Sequence, residues 1–501
     1  MILTKGRAAL LYALFLFPPA PAVAQQEALA AKSAQAKQMM QAGRFDQAAA
    51  LYAELVKAVP GNPGLLLDLG LAQHLGGHEP EAAATLEQVL KLQPDALPAL
   101  VTLASAKLAM DRPAEALAPL RKALTIKPDV ETRGMLANAL LEAKRPEEAE
   151  AEYRKLTDAA PNDARVWYGL GMAYQAIAGK AFDQLQRGNP VSPYVSALVA
   201  DTRVQRKQYR SAFFFYGEAA KQLPQLHGIH AALADLYRKT GHNDWASEED
   251  ARESALPPAD CAAHPFECQF AGGHDLPIVT QPLRAPTPEA LYWRAKAANE
   301  LALQALFRLG QLPPSVELHQ LRAEIARGQG QYLEAVAEWK AALAQMPGNP
   351  RIRQELAASY FMAQDYRAAL AEAQDLLRHA PAAPELNFIA GDSLLRLEDP
   401  EKAVPYLRAA LRGDPRMLAA DASLGLALSR LGKHSEAAPL LEKALELDDD
   451  GSLYYQLARA YQALGSRDKA AAAMAKYQEI QKRNQEQKEE VAREAQIGPP
   501  R

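Results

Sequence analysis

A 34-residue period runs through this chain and narrows the folds open to it more than any composition figure does. Prolines that close apolar segments fall at Pro60, Pro94, Pro128 and Pro161, at steps of 34, 34 and 33. The ladder resumes at Pro224 and Pro258, and again at Pro347, Pro381 and Pro415, with steps of 34. Twelve positions before each proline stands an alanine: Ala48, Ala82, Ala116, Ala149, Ala212, Ala246, Ala335, Ala369 and Ala403, continued by Ala437 and Ala470. Twelve positions earlier still stands a second small residue: Ala36, Gly70, Ala104, Ala137, Ala200, Ala234, Ala323, Ala357, Gly391, Gly425 and Ala458. Between the two small positions lies a break, often with glycine, as at Gly43, Gly77, Gly241, Gly330, Gly432 and Gly465. Apolar residues recur at helical spacing on either side, so each unit reads as two short antiparallel helices. The small positions let the two backbones approach where the helices cross, and proline ends the second helix. One hairpin cannot bury its apolar faces alone, whereas stacked neighbours bury them as a continuous core.

These residues resemble the tetratricopeptide repeat family. Its pattern W-x2-L-G-x2-Y stands intact at Trp167, Leu170, Gly171 and Tyr174, and in degenerate form at Leu233, Ala234 and Tyr237 or Leu457, Ala458 and Tyr461. Eleven units start near 29, 63, 97, 130, 193, 227, 316, 350, 384, 418 and 451. The resemblance implies an all-α, right-handed α-solenoid of tandem two-helix units, here as two stacked halves joined by an irregular loop. It also implies that the first helix of each unit lines a concave surface that takes protein or peptide partners. Carried onto this chain, the family's groove positions give Leu67, Leu71, Leu75, Val101, Leu108, Asn138 and Leu141 in the early units, an apolar stretch. The later units give Arg351, Gln354, Phe361, Asp392, Arg396, Arg430, Tyr455 and Arg459, a basic stretch with aromatics. The family's clamp for a peptide C-terminal carboxylate, Lys at the fifth position with Asn at the ninth, is matched in no unit.

Residues 1–24 read as a secretory signal peptide. Lys5 and Arg7 precede the apolar run Ala8 to Phe17, three prolines break it, and Ala22-Val23-Ala24 makes a small-residue cleavage site. The run is too short to span a membrane, and no later stretch reaches spanning length. The expected location is periplasmic or extracellular. The net charge of −4, or −6 without Lys5 and Arg7, gives no global basic field for nucleic acid.

The alanine ladder is out of phase twice. It jumps by 63 between Ala149 and Ala212, and by 89 between Ala246 and Ala335. Two aromatic-started helices fill the gaps, Trp167-Tyr168 to Phe182 and Tyr292-Trp293 to Phe307, both offset by 125. The expected organisation is therefore a duplication: a solenoid at 25–260 with a variant unit at 164–192, a Pro/Gly-rich loop at 261–288, a second solenoid at 289–485 with a variant unit at 289–315, and a charged cap and tail at 486–501. The variant units read as packing joints. Gly498-Pro499-Pro500 is expected to fray.

The loop holds both cysteines, Cys261 and Cys268. With an export signal, a disulfide is the favoured pairing, and two free thiols are the alternative. A zinc set of Cys261, His264, Cys268 and His274 has spacings that match no known finger, so no metal is expected. Asp448-Asp449-Asp450-Gly451 lacks the glutamate a calcium loop needs and reads as a solvated turn. His227 and His230 suit a surface role, and the acidic run Asp244 to Glu253 a solvated helix face. No H-E-x-x-H, G-x-S-x-G or phosphate-binding glycine loop occurs. No catalytic residue and no cofactor are expected. The expected function is a non-catalytic, exported protein-interaction scaffold, with an assembly factor in envelope polysaccharide or outer-membrane export as the alternative. Self-association stays open.

Overall fold

A computed structural model describes residues 21–283, 286–494 and 497–500, with the side chains of 21–25 and 490–494 left aside. Residues 1–20 of the expected leader lie outside that range. The described residues form helices joined by short turns, with no strand among them, and no helix is long and apolar enough to cross a membrane. The chain divides into two compact units, one ending at Pro161 and one starting at Asn162.

The first unit is four helix hairpins: Pro21–Gln41 with Phe45–Ala58, Pro63–Leu75 with Glu79–Leu92, Leu97–Ala109 with Pro113–Ile126, and Val130–Glu142 with Pro146–Ala159. Each second helix ends two residues before its ladder proline, at Ala58, Leu92, Ile126 and Ala159. The small positions are the crossing points. Ala36, Ala48, Ala82, Ala104, Ala116, Ala137 and Ala149 are all 0% exposed. A Cβ added at Gly70 would come within 2.8 Å of Leu86, sixteen residues on, so glycine is what admits the leucine there.

The turn between paired helices repeats as faithfully. A left-handed residue stands at Gly43, Gly77, Asp111, Lys144, Lys207, Gly241, Gly330, Gln364, Glu398, Gly432 and Gly465. Six are the glycines of the sequence break. The other five carry side chains in a conformation that costs about 1–2 kcal/mol for an L-residue.

The second unit contains regular hairpins and one exception. The long helices Ala164–Gly188 and Pro288–Gly310 pack along each other, as the paired helices of a repeat do. A Cβ at Gly171 would lie 2.5 Å from Leu306, just as one at Gly391 would lie 2.6 Å from Leu407 and one at Gly425 2.8 Å from Leu441. In the regular cases the leucine follows its glycine by sixteen residues. Here it follows by 135, and position 187, sixteen on, is an arginine. The two aromatic-started stretches are therefore not two separate joints: they supply the first and second helices of one discontinuous repeat. Local periodicity could not show this, because both stretches carry the alanine-rich face that the shared interface needs, including Ala173, Ala178, Ala181, Ala295, Ala298, Ala302 and Ala305.

What lies between them is an excursion. Hairpins Pro193–Gln205 with Tyr209–Gln222 and Ile229–Lys239 with Asn243–Ala255, then short helices Pro265–Ala271 and Asp275–Thr280, leave and return to the Pro288–Gly310 helix. Tyr194 meets Tyr292 with ring centroids 5.2 Å apart, and Phe270 meets Trp293 at 5.1 Å. Asp201 accepts from Tyr216 Oη at 2.6 Å and from Lys296 Nζ at 3.0 Å. The solenoid core then continues from the Pro288–Gly310 helix: Leu309, Leu318 and Leu321 cluster with Trp167, Tyr168 and Leu306.

At the other end, the Arg467–Glu494 helix pairs with Ser452–Ala463 as the second helix of the last hairpin and runs on well past the usual length. The tail beyond it is held rather than frayed at one point, where Tyr237 Oη donates to Gly498 O at 2.7 Å.

Candidate interaction surface

The first helix of each repeat positions the residues singled out from the sequence. In the first unit Leu67, Leu71, Val101, Leu108 and Leu141 are half-buried, Leu75 is 46% exposed, and exposed Asn138 donates to Glu142 Oε1 at 3.1 Å. The half-buried leucines and valine thus share their area between solvent and their neighbours, as groove residues do.

In the second unit the expected cations have internal work. Asp392 is 2% exposed; it accepts from Ser423 Oγ at 2.6 Å and pairs with Arg396 Nε at 3.2 Å. Arg430 Nη1 donates to Leu395 O at 2.9 Å, a second donor beside the Glu398 backbone N–H for a carbonyl at the end of the preceding first helix. Arg396 and Arg430, expected in the groove, therefore serve packing as well: a buried aspartate and a helix end call for them. Phe361 is half-buried between Tyr366 and Phe388, at 5.8 and 6.0 Å between centroids. Arg351, Gln354 and Arg459 are exposed, and Tyr455 is 39% exposed against Tyr477.

The discontinuous repeat adds groove residues the sequence reading missed. Tyr168 on Ala164–Gly188 accepts from Gln320 Nε2 at 2.6 Å and donates to Glu324 Oε1 at 3.1 Å, both on Val316–Gly328. Burial and the Glu324 carboxylate hold the Tyr168 hydroxyl well above the usual phenol range, so it stays a donor. Arg327, further along the same helix, pairs separately with Glu355 on Pro350–Met362 at 2.9 Å. One signal could have revealed this: Tyr168 and Gln320 hold the same repeat position, and Gly171 has no leucine sixteen residues on.

Cys261 and Cys268 are disulfide-bonded, with Cα atoms 5.6 Å apart, which removes both sulfurs from the four-residue zinc set. Asp448 is not a solvated turn residue. It is 7% exposed and accepts from the backbone N–H groups of Leu453 and Tyr454 at 3.1 and 2.7 Å, capping the final repeat. Glu249, in the acidic run, is 2% exposed and lies 2.5 Å from His230 Nδ1. Glu253 takes the N–H groups of Gly228 and Ala231 at a helix start. Separately, a polar cleft lies between the 203–211 turn and the terminal helix, where Arg203, Lys207, Arg210 and Lys488 outnumber Asp450.

An α-solenoid of two-helix units with a lined inner face defines a class of repeat-built interaction proteins. Profiles of the tetratricopeptide repeat match residues 39–106, 107–172 and 326–387, residues 388–452 and residues 451–484. Together they cover more than half of the chain, which belongs to the tetratricopeptide repeat family. No curated protein matches. Solved structures resemble parts of it: a MamA protein at 20% identity and TM-score 0.30, covering 34% of this chain and 94% of its own; the TPR protein TTC0263 of Thermus thermophilus at 22% and 0.29, covering 36% and 98%; and YrrB, described as a TPR protein with an unusual peptide-binding site, at 23% and 0.28, covering 32% and 82%.

Proposed function

We propose that this chain is an exported, non-catalytic scaffold that binds protein or peptide segments along the inner helix faces of its later repeats. Membership of the family supports the scaffold role. The leader pattern and the Cys261–Cys268 disulfide support export, since such bonds persist in oxidising compartments. The observation that carries the docking face is the exposed pair Tyr455 and Arg459 on the first helix of the last repeat. A half-exposed aromatic beside a guanidinium suits an extended segment containing carboxylates.

Arg396 and Arg430 have internal partners, so the cleaner variant is Tyr455→Ala with Arg459→Glu. Capture of partners from a native envelope fraction, read by mass spectrometry, should fall for this variant while its melting curve stays that of wild type. Added salt should weaken the same capture. If Leu67→Glu with Leu71→Glu abolishes capture and the Tyr455/Arg459 variant does not, the early apolar face is the docking surface and this assignment fails. Recovery of polysaccharide- or outer-membrane-export components would identify the assembly-factor role.

A further inference from the structure

The disulfide loop brings together donors that the sequence scattered. His264 lies between Cys261 and Cys268, Glu267 lies beside Cys268, and Glu289 opens the Pro288–Gly310 helix. One donor atom from each of His264, Glu267 and Glu289 falls within 4.8 Å of the others. Glu267 is 6% exposed, Glu289 is half-buried and His264 is exposed, so the cluster has a buried floor and an open side.

Its charge is unbalanced. Among the described residues the ionic partners of the two glutamates are histidines only: His227 Nδ1 is 2.6 Å from Glu267 Oε1, and His264 Nδ1 is 2.9 Å from Glu289 Oε1. Two carboxylates share the site, one of them almost out of solvent. Bringing two carboxylates together with one of them buried is costly unless cations answer both. A divalent cation neutralises both at once.

We propose that His264, Glu267 and Glu289 bind a divalent transition-metal ion of the zinc class. One nitrogen and two carboxylate oxygens suit zinc, at bond lengths of about 2.0–2.2 Å. Tetrahedral donors then stand about 3.4 Å apart, between the 2.9 Å of His264 Nδ1 to Glu289 Oε1 and the 4.8 Å that bounds the cluster, so side-chain adjustments of roughly an ångström form the site. Water takes the fourth position. His227 serves from outside the ligand set, fixing the Glu267 carboxylate as outer partners of metal ligands do. The disulfide shortens the loop that carries two of the three ligands, which lowers the ordering cost of binding.

The test is calorimetric titration of the tag-free, disulfide-intact, metal-stripped chain with zinc chloride alone. The expected result is saturable binding of about one ion per chain, weakened about 10-fold or more by His264→Ala and by Glu289→Gln. Both positions keep some solvent exposure, and circular dichroism confirms that each variant is folded. His230→Ala, in the separate pair with Glu249, should bind as wild type does. Absence of saturable binding at wild type, or equal affinity in the His264 and Glu289 variants, overturns the site.

Discussion

The repeat formed by Pro384–Arg396 and Pro400–Gly413 and the one formed by Ala164–Gly188 and Pro288–Gly310 solve the same packing problem at different chain distances. In both, a glycine on the first helix admits a leucine of the second. The regular repeat closes through a left-handed Glu398 after thirteen helical residues. The discontinuous one runs its helices to 25 and 23 residues, against 13 and 14 in the regular pair, and closes through a whole excursion. The added length is not idle: Tyr292 and Trp293 on it seat the excursion, and Glu289 faces the disulfide loop. The contrast teaches that a repeat is defined by its helix interface, and that a turn can be replaced by nearly a hundred residues if the interface is kept.

That contrast predicts unequal responses to equal changes. Leu407→Ala should be the most damaging, by about 2–5 kcal/mol, because the side chain is 0% exposed. Leu306→Ala should cost less, about 1–2 kcal/mol, because Leu306 is half-buried and part of its area stays in water. Chemical denaturation of both variants reads the difference; an equal loss would erase the distinction.

The glycines should rank the same way. At Gly391 a new Cβ meets the Leu407 backbone nitrogen at 3.1 Å as well as its side chain, whereas at Gly171 only the Leu306 side chain is in the way. Gly391→Ala should destabilise by about 1–3 kcal/mol from overpacking, less the roughly 1 kcal/mol that alanine returns in a helix. Gly171→Ala should be milder, since a side chain can turn aside.

Asp163 caps the longer first helix and accepts from Arg165 N at 2.9 Å. The Arg165 guanidinium, against the opposing effect of partial burial, holds its carboxyl below the usual aspartate value. A depressed carboxyl stabilises the fold fully above its unfolded value near about 3.9 and loses that contribution as pH falls through the folded value. Asp163→Ala should therefore cost about 1 kcal/mol at neutral pH and progressively less in acid. A constant difference across that range would contradict the assignment of the cap to the ionised form. The smallest effect is expected in a regular turn. Lys144→Gly relieves a left-handed lysine and should stabilise by a few tenths to about 1 kcal/mol.

Much of the regular array was legible because its signals are local. The Ala and Gly series marks helix crossings within one hairpin, and the prolines mark ends within a few residues. The discontinuous repeat was not legible by the same means, since Gly171 and Leu306 are 135 residues apart and each helix alone looks like an amphipathic surface. The roles of Arg396 and Arg430 were hidden for a related reason. They depend on Asp392 and on the Leu395 carbonyl, whose exposure is set by the stacking of neighbouring repeats. The buried Asp448 and Glu249 follow the same rule: a charge run is solvated only where no helix end or imidazole needs it.

The most direct measurement of the discontinuous repeat is a double-mutant cycle between Gly171→Ala and Leu306→Ala. If the two positions touch as paired-helix partners, trimming Leu306 makes room for the new methyl, and the double variant should be more stable than the sum of the singles by about 1 kcal/mol. The same cycle on Gly391 and Leu407 sets the scale for a regular repeat. Additivity at 171 and 306 within about 0.5 kcal/mol, with coupling retained at 391 and 407, would contradict the pairing of the two long helices.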